Sequence, residues 1–189
     1  GQNWVFSPLH PERIRTTGYQ YVISYLRHHL RHTGILRLDH VMGLHRLFCI
    51  PDGMEAGHGA YLRYRSEELY AILTLESARH QTVIVGEDLG TVPRYVRTAM
   101  RRHRLRRMYV LHYELIADRR KKLPPVPGSA IASINTHDMP PFAAFWQDAD
   151  IPQSLRLGLL DRSSAREEKQ RRRKLRQTLV GSLRDKGWL

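Results

Sequence analysis

The chain has 189 residues, 31 Lys and Arg against 18 Asp and Glu, a formal net charge of +13 and a hydrophobic fraction of 41%. This is enough apolar material for a packed core, which excludes a disordered tail and a collagen-like chain. The single cysteine, Cys49, excludes an internal disulfide framework and a four-cysteine zinc site, and no apolar run approaches the roughly 18 residues of a membrane span. The opening Gly1-Gln2-Asn3-Trp4 carries no secretory pattern, so a reducing, cytoplasmic setting is expected.

In chain order, Tyr19, Val22, Ile23, Leu26 and Leu30 recur at helical spacing and predict an amphipathic helix over residues 19–32, stopped near Gly34. Ile35-Leu36-Arg37-Leu38 reads as a short strand ending at Asp39-His40. Residues 51–64, with Pro51, Gly53, Gly57 and Gly59, read as a long loop. Ser66 is a candidate cap for a helix carrying Leu69, Ile72, Leu73 and Leu75, with Glu67 and Glu68 at its favourable end. Thr82-Val83-Ile84-Val85 is a second strand, ending at Gly86-Glu87-Asp88. Thr91 and Pro93 then start a helix whose last turn is rich in Arg. A third strand, Met108 to Leu111, is followed by His112, Tyr113 and Glu114. After the loop at 123–128, a fourth strand covers residues 130–134 and ends at Asn135-Thr136-His137-Asp138. Phe142, Phe145 and Trp146 mark a short aromatic helix. The segment from about Pro152 to Leu189 is helical by pattern, with Leu175, Leu179 and Leu183 on one face.

Alternating strands and helices predict an α/β fold with a parallel sheet and helices outside it. The four strands are separated by about 48, 26 and 22 residues, against roughly 31 per unit of a (β/α)8 barrel. A doubly wound sheet would alternate in the same way, but no Gly-x-Gly-x-x-Gly follows any of the strands. The Arg-dense runs 101–107 and 171–176 lie in helical stretches and read as solvated faces. The competing reading, a basic nucleic-acid-binding module, leaves the acidic strand ends unexplained.

Those strand ends carry the chemistry. Asp39, Glu87 with Asp88, and Asp138 each follow an apolar strand, and in a barrel all such ends open on one face. Retaining glycoside chemistry needs two carboxylates roughly 5–5.5 Å apart, one attacking the anomeric carbon and one protonating the departing oxygen. A third carboxylate can hold the sugar hydroxyls in the transition state. Arg37, two residues before Asp39, falls on the same side of its strand and supplies a counter-charge. Taken singly, each acid reads equally as a helix cap or turn residue. His40, His45, His137 and the pair His28 and His32 lack a His-Glu-x-x-His pattern or a cysteine cluster, so no metal site and no cofactor is expected.

The segments Ile35-Leu36-Arg37-Leu38-Asp39-His40, Val85-Gly86-Glu87-Asp88-Leu89-Gly90-Thr91-Val92-Pro93 and Asn135-Thr136-His137-Asp138 resemble the amylomaltases. These are the 4-α-glucanotransferases of glycoside hydrolase family 77. The opening Gly1-Gln2-Asn3-Trp4 and Pro8-Leu9 resemble the stretch before the nucleophile strand of that family. The resemblance implies strands 4–8 of a (β/α)8 barrel, with residues 1–189 the C-terminal portion of its catalytic domain and the first three strands missing. It implies Asp39 as nucleophile, Glu87 as general acid/base and Asp138 as the acid that binds hydroxyls at the cleavage point. It also implies Trp4, Arg37, His40, Asp88 and His137 as substrate contacts. The implied reaction moves segments of maltodextrin or another α-1,4-glucan to glucose or a maltosaccharide acceptor, in cytoplasmic glycogen and maltodextrin metabolism, with no membrane or nucleic-acid partner. An α-glucan hydrolase of the α-amylase clan would use the same three acids. Val5, Cys49, Pro141 and Ala144 depart from the family pattern at chain-binding positions. A half barrel leaves sheet edges unpaired, so the isolated chain is expected to be poorly stable or inactive.

Overall fold

The computed structural model describes residues 7–115 and 123–189. Its first helix, α1 (Pro11–Thr16), is too short to leave a periodic signal; Pro11 opens it and the His10 ring accepts the Arg13 N–H at 3.3 Å. Gly18 and Tyr19, both at positive φ, turn the chain into α2 (Gln20–Leu30), which buries Val22, Leu26 and Leu30 as its spacing predicts. Next come β1 (Ile35–Leu38), a 3-10 turn over Val41–Leu44 and β2 (Arg46–Cys49). A second such turn over Ala56–His58 precedes β3 (Ala60–Arg63).

The strands β2 and β3 pair antiparallel, Arg46 against Arg63 and Cys49 against Ala60, so part of the expected loop is a hairpin. The turn formers stop at Gly59. Beyond them Tyr61 packs edge-on against Phe48 and lies under the Arg46 guanidinium, 4.1 Å from its ring centre.

Helix α3 (Ser66–His80) starts one residue earlier than a Ser66 cap requires: Arg65 occupies the cap position and Ser66 is already helical. Its buried face is Leu69, Tyr70, Leu73 and Glu76, whereas Leu75 is exposed. Positions 69, 73 and 76 share one face at the helical period; residue 75 does not. The buried Glu76 is neutralised by Arg27, whose two nitrogens reach it at 2.8 and 2.9 Å, and by Arg79 at 2.9 Å. These hydrogen bonds, that of Arg27 foremost, hold its carboxyl below the ordinary range despite burial.

After α3 come β4 (Val83–Gly86), α4 (Arg94–Arg102) and β5 (Arg107–Val110). The strands β1 and β4 run parallel, with Ile35 beside Val83 and Leu38 beside Gly86. On the other side of β4, Arg106 donates to the Ile84 carbonyl and accepts the Gly86 N–H, both at 2.9 Å. The core of this part gathers α2, α3 and α4 against the pair, through Leu26, Leu30, Val41, Tyr70, Leu73, Ile84, Val96 and Met100 among others. Gly86 is required by close approach: a Cβ there would lie 2.8 Å from both Met100 and Val41 side-chain carbons.

The chain divides into two units, Gly1–Met108 and Tyr109–Leu189. In the second, α5 (Leu111–Glu114) follows β5, and β6 (Ala130–Ser133) forms a two-stranded sheet with β5. Helices α6 (Phe142–Gln147), α7 (Ile151–Arg156) and α8 (Arg162–Asp185) complete it. The C-terminal segment, helical by pattern from about Pro152, is two helices that are separated where Gly158 takes positive φ. Leu115, Phe145, Leu175 and Leu179 form its apolar cluster.

The 171–176 run is only partly solvated. Arg172 is buried, grips Asp150 through two nitrogens at 2.5 and 2.7 Å and Glu168 at 2.8 Å, and lies over the Phe145 ring. Arg176 holds Asp148 at 2.8 Å and caps the Trp146 carbonyl at the end of α6. Both occupy the face that carries Leu175 and Leu179. The described elements make a mixed α/β chain whose sheets are short two-stranded pieces. None of its described helices is long and apolar enough to cross a membrane.

Candidate active site

In the first unit, the parallel register brings two predicted acids to one place. Leu38 and Gly86 are partners, so Asp39 and Glu87 are the next residues out on adjacent strands. The Glu87 N–H donates to the Leu38 carbonyl at 2.8 Å, which carries the pairing one residue past β4. His40 then takes a left-handed conformation, φ 47°, which is uncommon for a residue with a side chain. This sharp turn aims two successive N–H groups back at Glu87. His40 N–H donates to Oε2 at 3.1 Å and Val41 N–H to the Glu87 carbonyl at 3.2 Å. The Leu89 N–H donates to Oε1 at 2.7 Å. Both carboxyl oxygens of Glu87 are therefore held by main chain from two different strand exits.

Asp39 is exposed and ion-paired with Arg37, whose Nη2 lies 2.5 Å from Oδ1. The same guanidinium donates to the Met108 sulfur at 3.4 Å, which ties it to β5. The pair follows from strand alternation, since residues i and i+2 share a side. Asp88, the neighbour of Glu87, is 2% exposed. Its carboxylate accepts Arg97 Nε at 3.1 Å, Arg107 Nε at 2.6 Å and the Met108 N–H at 3.1 Å. Its environment is thus internal, unlike the sugar-facing position the resemblance implies. Arg97, Arg107 and the main-chain donors of His40 and Leu89 escape sequence reading, because backbone donors carry no residue signal and the two arginines sit inside a general excess of Arg.

In the second unit, the exit of β6 is built differently. The His112 N–H donates to the Ile134 carbonyl at 3.2 Å, joining the exits of β5 and β6. His137 and Asp138 follow, each with a side chain 76% exposed, His137 Nε2 lying 3.4 Å from Asp138 Oδ1. Asn135 donates to the Pro140 carbonyl at 3.1 Å and closes the turn. Ser133 Oγ, Thr136 Oγ1 and His112 Nε2 are buried without a hydrogen-bond partner. Burial, with Arg172 and Arg171 adding to it, pushes the His112 pKa down, so the ring is neutral at pH 7 between Phe142 and Phe145. Arg37, Asp39, His40, Glu87 and Asp88 are thus gathered at the end of one strand pair, His137 and Asp138 belong to a strand end of the other unit, and Trp4 lies outside the described residues. Among the described residues no group of three or more His, Cys, Asp or Glu side chains is placed to hold a metal ion.

An exposed carboxylate with an arginine partner, beside a second carboxylate fixed by main-chain donors, has the parts of a nucleophile and a proton carrier. Comparison with known proteins gives the family. A 4-alpha-glucanotransferase of Haemophilus influenzae is 38% identical over an alignment of 192 positions that covers 100% of this chain and 27% of that protein. One from Mycobacterium tuberculosis is 35% identical over 165 residues, covering 85% of this chain and 23% of that protein. The crystal structure of amylomaltase from Corynebacterium glutamicum superposes with a TM-score of 0.84 at 32% identity, covering 98% of this chain and 27% of that one. The chain spans about a quarter of the length of these relatives. The model of glycoside hydrolase family 77, 4-alpha-glucanotransferase, matches residues 1–186, and the chain belongs to that family.

Proposed function

We propose that this chain carries the three acids of a 4-α-glucanotransferase that works by retaining double displacement. Asp39 attacks the anomeric carbon of an α-1,4-glucan. The bond to the glycosidic oxygen breaks, that oxygen takes the proton of Glu87, and a glucosyl ester of Asp39 forms. Glu87, now a base, removes the proton of an acceptor 4-hydroxyl; its oxygen attacks the same carbon and Asp39 departs. Two inversions retain the α configuration. Asp138 binds hydroxyls of the sugar at the cleavage point, with Trp4, Arg37, His40 and His137 as further sugar contacts.

The observation that carries this reading is the register that sets Asp39 and Glu87 at adjacent strand ends, with both Glu87 oxygens held. In the same reading β1, β4, β5 and β6 are strands four to seven of a (β/α)8 barrel, and residues 1–189 are the C-terminal part of its catalytic domain. Donor and acceptor are maltodextrins and glucose or short maltosaccharides, and the setting is cytoplasmic glycogen and maltodextrin metabolism.

The test is to incubate the complete gene product carrying this chain with maltotriose. Glucose together with maltosaccharides longer than the substrate is expected. Glucose and maltose alone would make it a hydrolase, and full turnover by Asp39→Asn would overturn the nucleophile assignment.

A further inference from the structure

We infer that Asp88 is a positioning residue for the Glu87 carboxyl, acting through the peptide that links Asp88 to Leu89; this rests on the acid/base reading of Glu87. Asp88 is adjacent to Glu87 yet points away from it, as alternation along an extended strand exit requires. Its carboxylate is buried and fully occupied: Oδ2 accepts Arg97 and Arg107, and Oδ1 accepts the Met108 N–H. All three donors come from α4 or β5, so the side chain fastens the β4 exit to the two elements that follow it.

The link to Glu87 is the peptide plane. Arg97 Nη2 donates to the Asp88 carbonyl at 3.1 Å, while Arg97 Nε holds the Asp88 side chain. In a planar trans peptide the carbonyl and the N–H point in opposite directions. Pinning the Asp88 carbonyl toward α4 therefore aims the Leu89 N–H the other way, and that N–H donates to Glu87 Oε1 at 2.7 Å. Arg97, Asp88 and Arg107 thus set the direction of one of the two donors that fix Glu87. Replacing Asp88 by asparagine turns an amide toward two guanidinium groups that converge on one acceptor. Their repulsion tilts the peptide and releases Oε1.

A sugar contact, a general packing role and a positioning role differ in what they change. The complete gene product is assayed with two donor–acceptor pairs. Maltotriose acting on itself needs Glu87 as acid and as base. α-Maltosyl fluoride with azide needs neither, because fluoride leaves without a proton and azide attacks without losing one. For Asp88→Asn the kcat on maltotriose is expected to fall about 30-fold, less than the roughly 100- to 10,000-fold that general acid–base catalysis supplies in full, with KM changed less than about threefold. On the fluoride–azide pair it should stay within about threefold of the unsubstituted protein, as should Glu87→Gln. A rise in KM at constant kcat, or an equal loss on both pairs, overturns the inference. If Glu87→Gln shows the split and Asp88→Asn does not, only this inference fails. If Glu87→Gln turns over maltotriose normally, the acid/base assignment fails and the inference falls with it. Should Asp88→Asn fail to fold, Arg97→Gln reads the same split, with a kcat loss on maltotriose of about 5–10-fold.

Discussion

The exit of β4 and the exit of β6 each present an acid after an apolar strand, but they hold it by different means. Glu87 is gripped at both oxygens by N–H groups of the main chain, and its neighbour Asp88 is locked by two arginines and a third N–H. Asp138 sits on an exposed turn beside His137. The same contrast runs through the packing. The first unit wraps α2, α3 and α4 around a parallel strand pair with a continuous apolar core. The second has a smaller apolar cluster and relies on Arg172 and Arg176 to fasten α8. The first unit is therefore sensitive to volume and backbone geometry, and the second to loss of charge pairing.

Substitutions can break this comparison or sharpen it. The largest effect is expected at the pinned acid: Glu87→Gln should lower kcat on maltotriose by about 1000-fold or more, and Asp138→Asn by about 100-fold. A reversal of that order would mean that the fixed carboxylate is not the proton carrier. Next, Arg172→Met removes the arginine that grips Asp150 and leaves Glu168 to Arg171 alone. It should cost about 2–4 kcal/mol in a denaturant titration, and a cycle with Asp150→Asn should show strong coupling. Gly86→Ala tests volume sensitivity in the first unit, where the new methyl overlaps Met100 and Val41. A loss of about 1–3 kcal/mol is expected, read by the same titration.

Glu76→Gln should cost about 1–3 kcal/mol at neutral pH, because it weakens the bonds from Arg27 and Arg79. Its pH dependence has a definite sign. The folded protein holds the Glu76 carboxyl below its ordinary value, so the stabilisation is complete above that value and is lost as pH falls through the lowered one. The gap between the unsubstituted chain and Glu76→Gln should therefore close in acid and not in base. The smallest effect is expected on the solvated face of α8, where Lys169 and Arg173 are exposed; replacing both by glutamine should change stability by no more than about 0.5 kcal/mol.

Much of this was readable before any coordinates. Apolar tetrapeptides flanked by acids and turn residues marked β1, β4, β5 and β6 to within a residue or two, helical spacing marked α2, α3 and α8, and the start signals Thr91 and Pro93 marked α4. The Arg37–Asp39 pair follows from strand alternation alone. Three features of the first unit were hidden, each for a separate reason. The β2–β3 hairpin lay inside a stretch whose glycines and proline spoke for a loop, and only cross-strand pairing reveals it. Glu76 carries no local sign of burial, which follows only when Arg27, from another helix, is brought against it. Asp88 reads as a twin of Glu87, although alternation sends one side chain outward and the other into the packing between α4 and β5.

By itself, the sequence determined the places of β1, β4, β5 and β6 and of the longer helices, that acids stand at strand exits, and which family the chain belongs to. These are local properties, set by the period of the backbone and the chemistry of each side chain. Only the tertiary structure decided which acid is exposed and which is clamped, and which arginines are internal. Those outcomes depend on partners about 10 to 50 residues away in the chain, and on N–H groups that every residue but proline possesses.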